Sequence, residues 1–330
     1  MRIGIVGAGL AGTLLAWRLG RHAAVDLITG APVPVDATGA SGGLVRGFDR
    51  RPSTAGLATE SLVELLGDAT LRELAGYRAV GSVFLLPPGT DPGESLRVVD
   101  ARLPGSAAVL TGAELDAYPF RGLPAGTVAV AERCGGQLSP ERLRTAVLGL
   151  VRGTIRATPV AGVTDTGQLR LADGSTHGYD AVVVAAGAWT PTLLAGTAFR
   201  TKQIQYSVYP DELAGLGVFD DTISGLYGMP AGESRFLLGL PCDRWDIDPA
   251  GVRPDLALVD RVADTARTVL GVELGRPIRT VAAFDCYSDP PGLTLRPTSA
   301  PSVFTFTGGS GGAAKTALAA SRLAAAALVS

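Results

Sequence analysis

Short apolar runs alternate with amphipathic stretches from the first residues onward. Ile3–Val6 is an uninterrupted apolar run, as in a strand buried on both faces, and it breaks at the turn Gly7–Gly12. Apolar residues then recur at helical spacing over Leu10–Leu19, and a second strand is predicted at Val25–Thr29. The Gly/Ala/Pro-rich stretch from Gly30 to Gly47 predicts an irregular connection. Helices are predicted at Thr54–Leu66 and Ala69–Leu74, and strands at Gly81–Leu86 and Gly126–Ala131. Ser139-Pro140-Glu141 combines a capping side chain, a first-turn proline and an acid, so a helix is expected from there to about Val151. Strands follow at Thr154–Ala157, Gln168–Leu171 and Ala181–Ala186, the last ending at Gly187. From Gln203 to Cys286 strands surround one helix, Asp255–Leu270. The chain then reads strand Val303–Thr307, glycine loop Gly308–Gly312 and helix Ala313–Leu328. The pattern predicts an α/β fold with α+β insertions: βαβ pieces at both ends and in the middle, with mainly antiparallel strands between them.

Composition narrows the chemistry. Of 330 residues, 46% are hydrophobic and 18% charged, which is globular. A net charge of −2 without a basic block gives a nucleic-acid partner no electrostatic support. Cys134, Cys242 and Cys286 lie far apart, so neither a disulfide framework nor a zinc site is expected and a reducing compartment fits. His22 and His177 are the only histidines, and each falls at a polar, surface-like position. Chemistry built on a histidine base or a histidine metal site is therefore disfavoured. The first strand begins at Arg2, leaving no room for a signal peptide, and Lys315 and Arg322 interrupt the final apolar stretch. A cytoplasmic protein with no membrane partner is expected.

Gly7-Ala8-Gly9-Leu10-Ala11-Gly12 satisfies GxGxxG in the required setting, with a strand before it and a helix after it. Gly7 permits the tight turn, Gly9 lets a pyrophosphate approach the main chain, and Gly12 lets helix and strand pack closely. The helix N-terminus adds amide donors and a positive dipole. In place of the acid that usually accepts ribose hydroxyls at the end of the second strand, this chain has Thr29, a weaker acceptor.

Further segments extend this signal. Val182-Val183-Val184-Ala185-Ala186-Gly187-Ala188-Trp189 resembles the "vVvAaGaW" strand of the D-amino-acid oxidase/sarcosine oxidase (DAO) superfamily of FAD enzymes. Gly135-Gly136-Gln137-Leu138-Ser139-Pro140 resembles its "gGhldP" segment, and Ala40-Ser41-Gly42-Gly43-Leu44-Val45-Arg46 its glycine-rich flavin loop. Gly308-Gly309-Ser310-Gly311-Gly312 is similar to its closing flavin loop, and the order of all these segments agrees from end to end. The monomeric sarcosine oxidase branch is the nearest in pattern. Tyr227-Gly228-Met229-Pro230 with Arg235–Gly239 resembles "YGFP…GLKxG", Asp285-Cys286-Tyr287-Ser288 resembles "xCMYT", and Ser310–Lys315 resembles "SGHGFK".

The resemblance implies a Rossmann-like FAD-binding domain, discontinuous over 1–76, 135–200 and 295–330, and a mainly antiparallel substrate domain over 77–134 and 201–294. It implies FAD contacts at Gly7, Ala8, Gly9, Leu10, Ala11, Gly12, Thr29, Ser41, Gly42, Gly43, Leu44, Val160, Ala186, Gly187, Trp189, Gly309, Ser310, Gly311, Gly312, Ala313 and Lys315. Arg46 and Lys315 match the pair that grips a substrate carboxylate, Tyr227 matches an active-site tyrosine, and Arg296 is a second-choice anchor. Leu237 stands where the branch has a lysine that promotes reaction with oxygen, which argues against efficient oxidase activity. Asp285 stands where the covalent cysteine would be, so FAD is expected to be non-covalent, with a link through the neighbouring Cys286 as the alternative. The expected reaction is oxidation of an amino acid, or N-substituted amino acid, to an imine by hydride transfer to flavin N5. The substrate would be a small carboxylate-bearing amine, free or carrier-bound. A hydroxy-acid or alcohol oxidoreductase and a flavin-binding sensor without catalysis are the alternatives.

Overall fold

Successive side chains of a strand face opposite sides of its sheet, and the first strand, Arg2–Val6, buries both. Ile3 and Ile5 enter one apolar core, and Val6 enters another with Val182 and Val184. Each fully buried aliphatic side chain of this kind contributes roughly 1.5–3 kcal/mol. The computed structural model describes residues 1–30, 36–196, 198–210, 213, 216–232 and 234–330.

That strand lies inside a six-stranded sheet ordered Thr294–Pro297, Val303–Thr307, Ala181–Val184, Arg2–Val6, Ala24–Ile28, Thr154–Arg156. All its pairings are parallel except the one between Thr294–Pro297 and Val303–Thr307. Helices Leu10–Leu19, Pro52–Gly67 and Ala313–Val329 pack on one face. A three-stranded antiparallel layer, Val160–Val163, Gln168–Leu171 and Thr176–Gly178, contributes Leu169 and Leu171 to the core of the other.

The second sheet has eight strands, ordered Arg279–Ser288, Phe199–Pro210, Arg235–Gly239, Tyr227–Pro230, Val218–Asp221, Ser82–Leu86, Val128–Glu132, Ala107–Leu110. Its pairings are antiparallel apart from Val218–Asp221 beside Ser82–Leu86. Helix Leu256–Leu270 packs an amphipathic face against it, capped by the Asp255 carboxylate and ended by Gly271 in the left-handed region. This is the expected α/β fold with a second, mainly antiparallel sheet. Among the described residues no helix is long and apolar enough to cross a membrane.

Three local readings change. The connection Gly30–Gly47 contains helix Ala37–Ala40 and strand Leu44–Val45, while residues 31–35 lie outside the described residues. The helix begun at Ser139 stops at Leu148 rather than Val151, where Gly149 follows. Helix Gly93–Asp100 has no counterpart in the sequence reading, because only Ser95 and Val99 of its eight residues are buried.

Candidate active site

The two sheets enclose one large cavity of about 1770 Å³. A drug-sized ligand site occupies roughly 300–1,000 Å³, so this one has room for a long dinucleotide and a small substrate together. Every residue singled out for FAD contact lines it except Gly12. Gly12 sits behind the wall: a Cβ there would stand 1.9 Å from the Gly7 carbonyl oxygen. Its part is to let helix and strand approach, and a direct cofactor contact at Gly12 is corrected by this placement. Gly7, at φ +108°, takes the turn that side chains resist. Gly9 is open to the cavity, where a Cβ would meet only the Thr38 hydroxyl at 3.4 Å. That hydroxyl already accepts the Leu10 amide at 3.0 Å, so one helix N-terminal donor is engaged and the next amides are left for a phosphate.

Thr29 follows the second strand, Ala24–Ile28, on the cavity wall. The nearest acid to that end of the cleft from the same connection is Asp36, which caps the short helix through the Gly39 amide and pairs with Arg144. Neither Asp36 nor Arg144 was singled out from sequence. Trp189 meets Phe284 edge-on at 5.0 Å, joining the glycine turn after Val184 to the second sheet.

At the other end the cavity is charged. Arg46 is buried, with 4% of its surface exposed, and its guanidinium lies 4.1 Å from the centre of the Phe84 ring. Its Nε donates to the Phe48 carbonyl at 3.0 Å and its Nη2 to Asp220 at 3.1 Å, while Nη1 has no partner among the described residues. The loop that carries it is held by Glu132, which accepts the Gly47 and Phe48 amides at 2.9 and 3.0 Å. Burial raises the pKa of Glu132. Lys315, on the first turn of helix Ala313–Val329, donates to Asp49 at 2.7 Å. Burial opposes ionisation of Asp49, but the Lys315 ammonium outweighs it and holds the carboxyl below its usual range. Lys315 is itself pulled down by burial and then by Arg46, with Asp49 opposing.

Tyr227 is half-buried and its hydroxyl donates to the Gln205 carbonyl at 2.9 Å; burial raises its pKa. The negative charges of Asp285 and Asp220 push it in the same direction. Asp285 is buried in the cavity wall and burial pushes its pKa up to about 7.

Over residues 2–327 the chain matches the family model described as DAO, FAD dependent oxidoreductase. The chain belongs to that family. Solved structures with the same fold include L-proline dehydrogenase from P. horikoshii, at 17% identity and TM-score 0.83, covering 99% of this chain and 92% of that one. Glycine oxidase from Bacillus cereus gives 17% and 0.76, covering 99% and 94%. Iminodiacetate oxidase from Chelativorans sp. BNC1 gives 18% and 0.73, covering 99% and 95%. No curated protein sequence matches.

FAD is the cofactor of the DAO family, and the glycine-lined wall of the cavity fits it. Cys286 is buried, and burial raises its thiol's pKa, so it lacks the thiolate character of a reactive cysteine. Leu237 is a buried, uncharged wall residue beside Gly42 and Met229. Arg296 is corrected as an anchor. It does not line the cavity, and it donates to the carbonyls of Pro290, Gly292, Thr294 and Thr307 and to the Ser288 hydroxyl, binding one loop to the sheet edge.

Proposed function

We propose that this DAO-family member oxidises the C–N bond of an amino acid or N-substituted amino acid to an imine. The single observation that carries the reading is Arg46, buried at the cavity wall with one unpartnered guanidinium nitrogen, and in electrostatic contact with Lys315. A buried cationic donor without a partner, on a residue of the cavity wall, is matched by an anionic ligand group such as a carboxylate. By their names, the similar glycine oxidase, L-proline dehydrogenase and iminodiacetate oxidase act on small amines that carry a carboxylate.

In this reading the cofactor is held by the segments 1–76, 135–200 and 295–330, and the substrate mainly by 77–134 and 201–294. When bound, FAD supplies the electron acceptor for hydride from the carbon bearing the amine. Arg46 Nη1 and Lys315 Nζ fix the carboxylate, with Asp220 and Asp49 holding the two cations in place. Tyr227, fixed by its bond to the Gln205 carbonyl, forms part of the same cavity wall. The buried aromatic and aliphatic walls exclude water, so the anchoring charges act at low dielectric. Leu237 adds no cation where one would favour oxygen, which supports an acceptor other than oxygen.

Anaerobic mixing of the FAD-loaded protein with panels of amino acids and hydroxy acids tests the reading. Bleaching of the flavin by an amino acid and not by its hydroxy analogue is expected. Reduction by hydroxy acids alone, or by chemical reductants alone, overturns it in favour of alcohol oxidation or a sensor.

A further inference from the structure

Oxidation of an amine by hydride loss requires a neutral nitrogen, whereas an aliphatic amine is protonated at neutral pH. Some group in the cavity must receive that proton. Histidine is the commonest proton acceptor, but neither histidine lines the cavity: His22 is exposed, and His177 lies in an outer hairpin against Ser175.

Among the described residues four acids line the cavity: Asp36, Asp49, Asp220 and Asp285. Three are engaged by cations, Asp36 by Arg144, Asp49 by Lys315 and Asp220 by Arg46. Among the described residues Asp285 has no ion-pair partner, and its Oδ2 makes no hydrogen bond although only 6% of the residue is exposed. A buried carboxylate oxygen without a partner is costly, and native proteins rarely leave one without a use. Lys202 is its cross-strand partner, yet the Lys202 ammonium lies 4.6 Å from the centre of the Trp245 ring and 4.0 Å from Asp243. The other titratable groups facing Asp285 are the Tyr227 and Tyr287 hydroxyls and the Cys286 thiol. Opposite stands Gly311, where a Cβ would come within 3.3 Å of Oδ2, so any other residue there would crowd that oxygen.

We infer that Asp285 is the base that takes the proton from the substrate's ammonium group. The N–H bond breaks, the proton passes to the Asp285 carboxylate, and the lone pair stays on nitrogen; nothing is oxidised or reduced in this step. The inference rests on the amine-oxidising reading above. Its physical logic is that burial disfavours both charges of an ammonium–carboxylate pair, raising the acid's pKa and lowering the amine's, until a neutral amine beside a neutral acid is preferred. Asp285, Tyr227 and the Arg46–Asp220 pair line one cavity, so a base for the amine and an anchor for the carboxylate face the same space.

The test compares the pH dependence of anaerobic flavin reduction in the FAD-loaded wild type and Asp285→Asn. At limiting substrate, the wild-type rate constant should rise to about pH 7 and then level off. The variant should be slower by about 10²- to 10³-fold near neutrality and should climb by about tenfold per pH unit beyond that point, as free neutral amine becomes available. A variant that keeps its FAD and follows a wild-type-shaped profile overturns the inference. An independent readout needs no variant: 2-aminoisobutyrate carries an amine but no hydrogen on the amine-bearing carbon. Added to wild-type holoenzyme above neutrality, it should produce the infrared carbonyl band of a neutral buried carboxyl. A shift in flavin absorption without that band also overturns the inference while leaving the functional reading intact. Failure of every amine to reduce the wild-type flavin takes both down.

Discussion

At its glycine-rich end the cavity is walled mainly by main chain: Gly7, Ala8 and Gly9, then Ala186 and Gly187, with the ion pair Arg144–Asp36 at its edge. At its charged end the wall is side chains of both signs, Arg46, Lys315, Asp49, Asp220 and Asp285. Backbone donors recognise a ligand common to a whole family and tolerate few substitutions. Charged side chains can be re-paired, and a substitution there changes which substrate is gripped. The contrast predicts all-or-none effects at the first end and graded, pH-sensitive effects at the second.

The largest effect is expected from Gly12→Val. The new Cβ would meet the Gly7 carbonyl oxygen at 1.9 Å, and both partners are fixed by the first strand and helix. Loss of FAD and of a cooperative melt should follow, a destabilisation above about 4 kcal/mol. A yellow, normally melting variant would break the comparison at its firmer side. Next come Arg46→Ala and Lys315→Ala, each expected to weaken substrate-induced flavin reduction through binding by about 2–3 kcal/mol, roughly 30- to 150-fold, with FAD retained. Unchanged titrations in both would show that the cations serve only Asp220 and Asp49.

Asp285 gives a graded effect with a definite sign. Burial raises its folded-state pKa from 3.8 to about 7, so the cost of ionising it is absent below the unfolded value, grows as pH rises from there, and is complete by about 7. Its contribution to the melting temperature should therefore fall between about pH 4 and about pH 7 and level off above, and Asp285→Asn should remove that fall while matching the wild type below about pH 4. Parallel curves would mean that another group neutralises the carboxylate. The smallest effect is expected at Thr29. Thr29→Glu restores a charged acceptor beside the ribose position and should tighten FAD by about 1 kcal/mol, roughly fivefold, in a titration of apoprotein followed by flavin fluorescence. No change would indicate that Asp36 already fills that part.

The same contrast explains what could be read from the sequence. Gly7–Gly12 and Val182–Trp189 carry their meaning locally, because a strand, a turn and a helix start are specified by neighbours in the chain. Arg46 and Lys315 were found only through family resemblance, and their acids were not found at all. Asp220 lies 174 residues from Arg46, and Asp49 lies 266 residues from Lys315, separations across which composition and periodicity carry no information. Asp285 was read as a departure from a cysteine. Its isolation from cations becomes visible only when Phe199–Pro210 and Arg279–Ser288 are paired in register. Helix Gly93–Asp100 escaped for the opposite reason, being too short and too exposed to leave an apolar stripe.

The parallel sheet sets a timetable as well as a shape. Arg2–Val6 is synthesised long before the strand Val303–Thr307 and the turn at Ser310–Gly312 that complete the same cavity. A growing polypeptide thus carries the first glycine turn, unroofed, until those segments follow it. A cradle whose walls are joined so late leaves apolar surface uncovered during synthesis, the condition in which chains of this size aggregate.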